Sequence, residues 1–302
     1  MKDDNRGYYC RVERDSISNQ GKRLTTFVVC FPRFILAEFN THRALSKNAA
    51  SSRAIPVKKR IADIKEAPFI PAVVYYNEPG MQGNVQLSED DYAKFVANWL
   101  NARDKALDAA QALMELNIHK QTANRLLEPF AWITDVVTAT EWTNFFALRY
   151  HKDAQPEFQH IAQMMYDAYV ASIPTQLQYD EWHLPFTDAE TWVEAYGHVL
   201  QGETRITRTT YTRQLEAVKQ ASVARCARVS TLQHDGTRSI QKDLELYSKL
   251  LNANPGHMSP FEHVAAPSAT SDFRSGNFRG YHQFRKEITN ENITTLPEGF
   301  GK

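Results

Sequence analysis

The residues best equipped for chemistry fall into four short stretches. The first, Thr41-His42-Arg43-Ala44-Leu45-Ser46-Lys47-Asn48-Ala49-Ala50-Ser51-Ser52-Arg53, sets an imidazole and two guanidinium groups in a run with little apolar content. A guanidinium offers planar, bidentate donors to phosphate oxygens, and small residues let backbone N–H groups approach an anion closely. The stretch therefore suits a nucleotide phosphate, with a solvated surface loop as the competing reading. Asn124-Arg125-Leu126-Leu127-Glu128-Pro129 and Asn144-Phe145-Phe146-Ala147-Leu148-Arg149 each add an arginine. Taken singly, Arg125 and Arg149 read better as ordinary surface residues. The fourth stretch, His257-Met258-Ser259-Pro260-Phe261-Glu262-His263, invites a zinc reading. Its spacing matches no zinc-binding helix pattern and Pro260 interrupts helix, so no metal is expected. No G-x-G-x-x-G or P-loop motif is present, which argues against a dinucleotide or Walker site of those kinds.

Something must position these stretches, and the sequence supplies helices and a hairpin. Residues 8–31 alternate like two strands around Asn19-Gln20-Gly21-Lys22. Pro32 suits the start of a helix running to about Asn40, and 57–66 reads as another. Residues 68–87, with several prolines and glycines, read as loop. Ser88 then caps a long helix to about 117, with Asp91 closing a capping box. Further helices are expected over 120–127, 141–150, 155–173, 211–227 and 239–252, with an irregular segment at 175–205. The expectation is an α+β, helix-rich single domain spanning 1–302, with a small antiparallel sheet.

Composition bounds the function. The chain has 302 residues, 42% of them apolar, enough for a substantial core. Lysines plus arginines number 35 and acidic residues 35, so no overall field attracts nucleic acid and any anion must be held by a local arginine cluster. No signal peptide, membrane span or disulfide pattern is evident, and Cys10, Cys30 and Cys226 are far apart. A cytoplasmic protein that binds neither membrane nor nucleic acid is expected.

Together the four stretches resemble the flavin-dependent thymidylate synthases. The family's R-H-R, seven residues and Ser read here as Thr41-His42-Arg43, seven residues and Ser51, with Arg53 beyond. Its G-H-x-[ST]-P-F-E-H reads as Gly256 to His263, and its A-R-V-S as Ala227-Arg228-Val229-Ser230. Arg125 before Glu128-Pro129, and Asn144 to Arg149 followed by Ala154-Gln155-Pro156-Glu157, resemble two more family segments. The order is unusual, because the Gly256–His263 segment follows the others, so the chain resembles circularly permuted, phage-type members. Residues 278–286 resemble the helix that leads into the R-H-R loop, and Arg285 is a candidate to replace the charge missing at Thr41.

The resemblance implies a ThyX-like fold, FAD as cofactor, methylenetetrahydrofolate and NADPH as co-substrates, dUMP as substrate and a homotetramer with active sites between subunits. It implies flavin contacts for His42, Arg43, Asn48, Asn144, Ser230, His257, Ser259 and Glu262. It implies nucleotide contacts for Glu38, Ser51, Ser52, Arg53, Arg125, Arg149 and Arg285, with Arg149, His42 and Ser51 at the reacting ring. Thr41, Ala49 and Ala54 depart from the family's Arg, acidic and aromatic residues, and Glu38 stands where Gln is frequent. These departures leave open a dUMP or dCMP 5-hydroxymethylase, and beyond it a non-catalytic nucleotide-binding relative.

Overall fold

The computed structural model describes residues 6–80, 83–200, 208–228, 239–289 and 291–295. β1 (Tyr9–Ser18) and β2 (Arg23–Pro32) form the expected antiparallel hairpin, and Gly21, at φ 75°, supplies the left-handed turn residue between them. Pro32 ends β2, and instead of one continuous helix a 3-10 turn, Arg33–Ile35, leads into the single-turn α1 (Leu36–Phe39). The stretch expected to be loop contains β3 (Ser46–Ala49), followed by α2 (Val57–Glu66).

The long α3 (Glu89–Glu115) starts at Ser88, whose side chain accepts from the Asp91 N–H. The expected capping box does not close. The Asp91 carboxylate instead accepts from Tyr76 Oη at 2.6 Å and Lys94 Nζ at 2.8 Å. α4 (Lys120–Ala123) runs into a 3-10 segment, Asn124–Phe130, and then β4 (Trp132–Ala139), a strand the sequence reading did not anticipate. α5 (Thr143–Arg149) and α6 (Pro156–Ala171) follow as expected.

Of the segment expected to be irregular, 175–205, the described residues 175–200 are more regular than expected. They contain β5 (Thr175–Leu177) and α7 (Ala189–Val199), and α7 is started by a reciprocal box between Asp188 and Thr191. After α8 (Arg208–Ala227) and α9 (Ile240–Leu251), the 3-10 turn Ser259–His263 leads into β6 (Ala265–Pro267). Residues 278–286 are not the expected helix. β7 (Arg274–Ser275) and β8 (Phe278–Arg279) form a tight hairpin, and β9 (Tyr281–Gln283) pairs with β6 before a 3-10 turn, Phe284–Glu287. The glycine at 280, at φ 75°, reverses the chain where a helix would have continued.

The main sheet has the order β3-β4-β2-β1-β5 and is mixed, not purely antiparallel, because β5 joins the β1 edge in parallel. Successive strand residues point to opposite faces. On one face, Phe27, Val29 and Phe31 of β2 and Ile133 and Val137 of β4 pack against Phe39, Phe145, Phe158 and Ile161 of α1, α5 and α6. On the other, Val28 and Val136 meet Cys226 of α8 and Phe186.

That second face also carries a buried polar chain. Ser16 Oγ lies 2.8 Å from His183 Nδ1, and His183 Nε2 lies 2.8 Å from Thr26 Oγ1. Thr26 Oγ1 is 2.7 Å from Thr138 Oγ1, which is 2.8 Å from His263 Nδ1. Burial pulls the His263 imidazole down to about 3 and holds His183 well below its ordinary value, so both rings are neutral. The chain ties the Gly256–His263 segment to the sheet that carries the first three stretches.

Candidate active site

The site begins at the α1 turn. Thr41 Oγ1 donates to the Glu38 carbonyl at 2.7 Å, and the His42 N–H donates to the Phe39 carbonyl at 3.2 Å. This folds His42 back against the aromatic core, where Phe145 and Phe158 meet its ring edge-on at 5.0 and 5.9 Å. Arg149, the last residue of α5, donates from Nε to His42 Nε2 at 2.8 Å and forms an ion pair with Glu38. Its guanidinium lies 4.6 Å from the Phe158 ring centre, an additional cation–π contact.

A guanidinium has donors only, so His42 Nε2 must offer its lone pair and the proton must sit on Nδ1. Burial, helped by the Arg149 and Lys47 charges, lowers His42 to about 4, which keeps that lone pair available. The three groups form a fixed carboxylate–guanidinium–imidazole unit, with part of the Arg149 fork accessible.

Two recesses adjoin this unit, and a third lies beyond Arg43. A cleft of about 1070 Å³ runs from Glu38 and Arg149 past Tyr8, Gln155 and His160 to Tyr75. A pocket of about 260 Å³ is lined by His42, Arg43, Asn144 and Arg149, and one of about 310 Å³ by Arg43, Glu262, Asn277, Arg285 and Lys286. Arg149 is shared by the first two and Arg43 by the last two. Glu262 accepts from Ser46 Oγ at 2.7 Å and from Arg285 Nη1 at 2.5 Å, and Arg285 also donates to Glu291 and Asn292. Thus Glu38, His42, Arg43, Asn144, Arg149, Glu262 and Arg285 are brought along one continuous surface.

The remaining candidates lie elsewhere in this chain. Ser52 Oγ, Arg125 Nη1 and Arg33 Nη2 converge on Glu128 Oε1 at 3.0, 2.8 and 3.2 Å. Ser52 is buried, whereas Ser51, Arg53 and Arg125 are exposed, with the Arg53 N–H donating to Ser51 Oγ. Asn48 donates to the Cys226 carbonyl at 2.8 Å. His257 and Ser259 are exposed at the start of their 3-10 turn, and Ser230 lies outside the described residues.

Two charged residues near the site were not singled out from sequence: Lys47, inside the first stretch, and Asp135, a lone carboxylate within the apolar run of β4. Among the described residues no group of His, Cys, Asp and Glu is placed to hold a metal, and no helix is long and apolar enough to cross a membrane.

A mixed sheet thus carries a guanidinium–imidazole–carboxylate unit beside donor-rich pockets. Comparison with known proteins identifies the family. The family described as "Thymidylate synthase complementing protein" (Thy1) matches residues 23–175, just over half the chain. The protein belongs to that family. Among solved structures, the UMP/dUMP methylase PolB from Streptomyces cacaoi bound with 5-Br UMP is similar over 54% of this chain and 89% of its own, at 20% identity and a TM-score of 0.47. The same methylase bound with 5-Br dUMP is 24% identical over 49% of this chain and 67% of its own, with a TM-score of 0.43. No curated protein sequence matches the chain.

Proposed function

We propose that the protein is a flavin-dependent thymidylate synthase, which transfers a one-carbon unit from methylenetetrahydrofolate to C5 of dUMP and reduces it to give dTMP. The observation that carries this reading is Arg149, which donates to neutral His42, is braced by Glu38, and stands where the large cleft meets the His42–Arg43–Asn144 pocket.

The donor set fits FAD. Arg43, Asn144, Arg285 and Lys286 ring the two smaller pockets with groups suited to a pyrophosphate and to the polar edge of a flavin ring. Ligand sites commonly enclose ~300–1,000 Å³, so each pocket takes only part of such a cofactor, in keeping with a site completed by another subunit of the implied homotetramer. When bound, FAD supplies the redox chemistry that turns the transferred carbon into a methyl group.

The chain's own groups have distinct tasks. Arg149 presents its free donors to the pyrimidine and stabilises the electron-rich, enolate-like form of the ring from which C5 attacks. Glu38 and His42 fix the fork that does so. Ser51, Arg53 and Arg125, which lie away from Arg149 within one chain, receive the phosphate of a nucleotide whose ring is held by Arg149 of another subunit, and Glu128 keeps Arg125 oriented. No cysteine is prepared as a nucleophile. Cys30 and Cys226 are buried, and burial pushes the Cys10 thiol up to about 12 and the Cys226 thiol well above its usual value. A route without covalent thiol activation of the ring is in keeping with this.

One observation favours a second reading, 5-hydroxymethylation, with dCMP in place of dUMP. Glu38 is a carboxylate beside Arg149, and a carboxylate accepts from an exocyclic amine, as cytosine offers. Purified protein is expected to be yellow and to carry FAD absorbance. Incubation with methylenetetrahydrofolate and dUMP, UMP or dCMP, with and without NADPH, followed by mass spectrometry of the nucleotide, separates the readings. A methylated dUMP product that requires reductant supports the synthase. A hydroxymethyl product without reductant supports the second reading, and colourless protein that cannot be reconstituted with FAD ends both.

A further inference from the structure

Lys47 and Asp135 have no place in the reaction as described, yet both are withdrawn from solvent beside it. Lys47 is the second residue of β3 and pairs with Val137, so it shares a sheet face with Asp135, two residues earlier on β4. Its ammonium reaches across to the α1 turn and donates to the His42 carbonyl at 2.5 Å and to the Phe39 carbonyl at 3.3 Å. Those carbonyls sit at and just past the end of α1, where partial negative charge gathers and a cation is favoured. The ammonium also lies 5.7 Å from the Phe39 ring centre.

Asp135 is fully buried, and neither carboxylate oxygen has a well-formed hydrogen bond among the described residues. An uncompensated carboxyl of this kind costs stability, so its presence in an otherwise apolar strand calls for a partner charge. We propose that Lys47 is a positioning residue for the reaction, pinning the backbone of His42 beneath Arg149, and that Asp135, on the same sheet face, is the counter-charge that keeps its ammonium in place.

The electrostatics agree with this geometry. Burial lowers Lys47, while Asp135 and Glu262 raise it. Burial raises Asp135 to about 7, while Lys47 and the nearby N–H groups of Asn48 and Val136 lower it. The charged or titratable groups facing His42 are Arg149 from α5, Glu38 from α1 and Lys47 from β3; Asp135 from β4 faces Lys47, and Glu262, paired with Arg285 on the Ser46 side of β3, acts on it only through its charge. The kinetic part of the proposal rests on the synthase reading; the structural part does not.

Two measurements on the full chain test it. In ¹³C-histidine NMR, with the His42 signal assigned by its loss in His42→Gln, Lys47→Met should move the His42 titration upward toward the ordinary range, because a positive neighbour is gone, and Lys47→Arg should restore it. With dUMP, Lys47→Met should lower kcat roughly tenfold while KM stays within about twofold. If both the titration and kcat are unchanged in folded Lys47→Met, the proposal is overturned. Should that variant not fold, Asp135→Asn decides. Removing the counter-charge should bring the alkaline loss of kcat to lower pH, and an unmoved alkaline limb overturns the role of Asp135. If the unaltered protein has no turnover, the synthase reading fails while the NMR result still decides whether Lys47 acts on His42.

Discussion

Arg149 Nε and His42 Nε2 are 2.8 Å apart, and this contact unites two stretches 107 residues apart in the chain. It also fixes the protonation state of the imidazole, because only a neutral ring accepts there. Much of the site's behaviour follows from this pair and from the charges around it.

Arg149→Lys keeps the charge but loses the planar fork. The expected result is a fall in kcat/KM of roughly 10²–10³ with dUMP, with little change in unfolding midpoint. Steady-state kinetics beside a thermal melt check this. A variant retaining more than half the activity would remove Arg149 from the chemistry.

His42 lies at about 4 in the folded protein against an ordinary 6.5. Its contribution to stability is therefore complete above 6.5 and is lost as pH falls through about 4. Over roughly pH 5–8 the ring stays neutral, so the kcat profile should show no limb due to it. A limb near 6.5 that disappears in His42→Gln would contradict the assigned state.

The Ser16–His183–Thr26–Thr138–His263 chain has the same sign. With His263 at about 3 and His183 also depressed, stability should decline as pH drops below 6.5. The slope is about 1.4 kcal/mol per pH unit for each histidine. Urea unfolding of the unaltered protein and of His263→Gln between pH 7 and 5 should show curves that converge toward acid. Parallel curves would mean that His263 is not held neutral by burial.

Arg225 and Asp243 form an almost fully buried pair at 2.8 Å, with Arg228 on the second carboxylate oxygen. Asp243→Ala strands the Arg225 charge among α7, α8 and α9 and should cost about 3–5 kcal/mol. Chemical denaturation measures it, and a loss below 1 kcal/mol would show that the Phe186 carbonyl and Thr191 hydroxyl, which Arg225 also engages, suffice alone.

The helices were legible from side-chain periodicity. α2, α3, α6 and α9 follow their apolar spacing, and of these four α3 alone begins at a side-chain cap, Ser88. β4 was not legible, because a run such as Trp132-Ile133-Thr134-Asp135-Val136-Val137 is buried on both faces and lacks the alternation of a half-exposed strand. β3 was hidden by its polarity. Ser46, Lys47 and Asn48 read as loop, and only the partners beyond the sheet explain why polar residues occupy a strand. Helix over 278–286 was expected from resemblance, but local backbone needs at Gly276 and Gly280, both at positive φ, prevail there. Of the site, residue types were legible. Which arginines would meet His42 and which would converge on Glu128 depends on long-range packing that spacing does not encode.

β3 is only four residues long, yet its alternation serves two masters. Ser46 and Asn48 reach toward Glu262 and the Cys226 carbonyl, while Lys47 reaches the opposite way to the α1 turn. A slip of one residue against β4 would invert that division and cut all these ties at once, so this short ribbon of chain is held to its register from both faces.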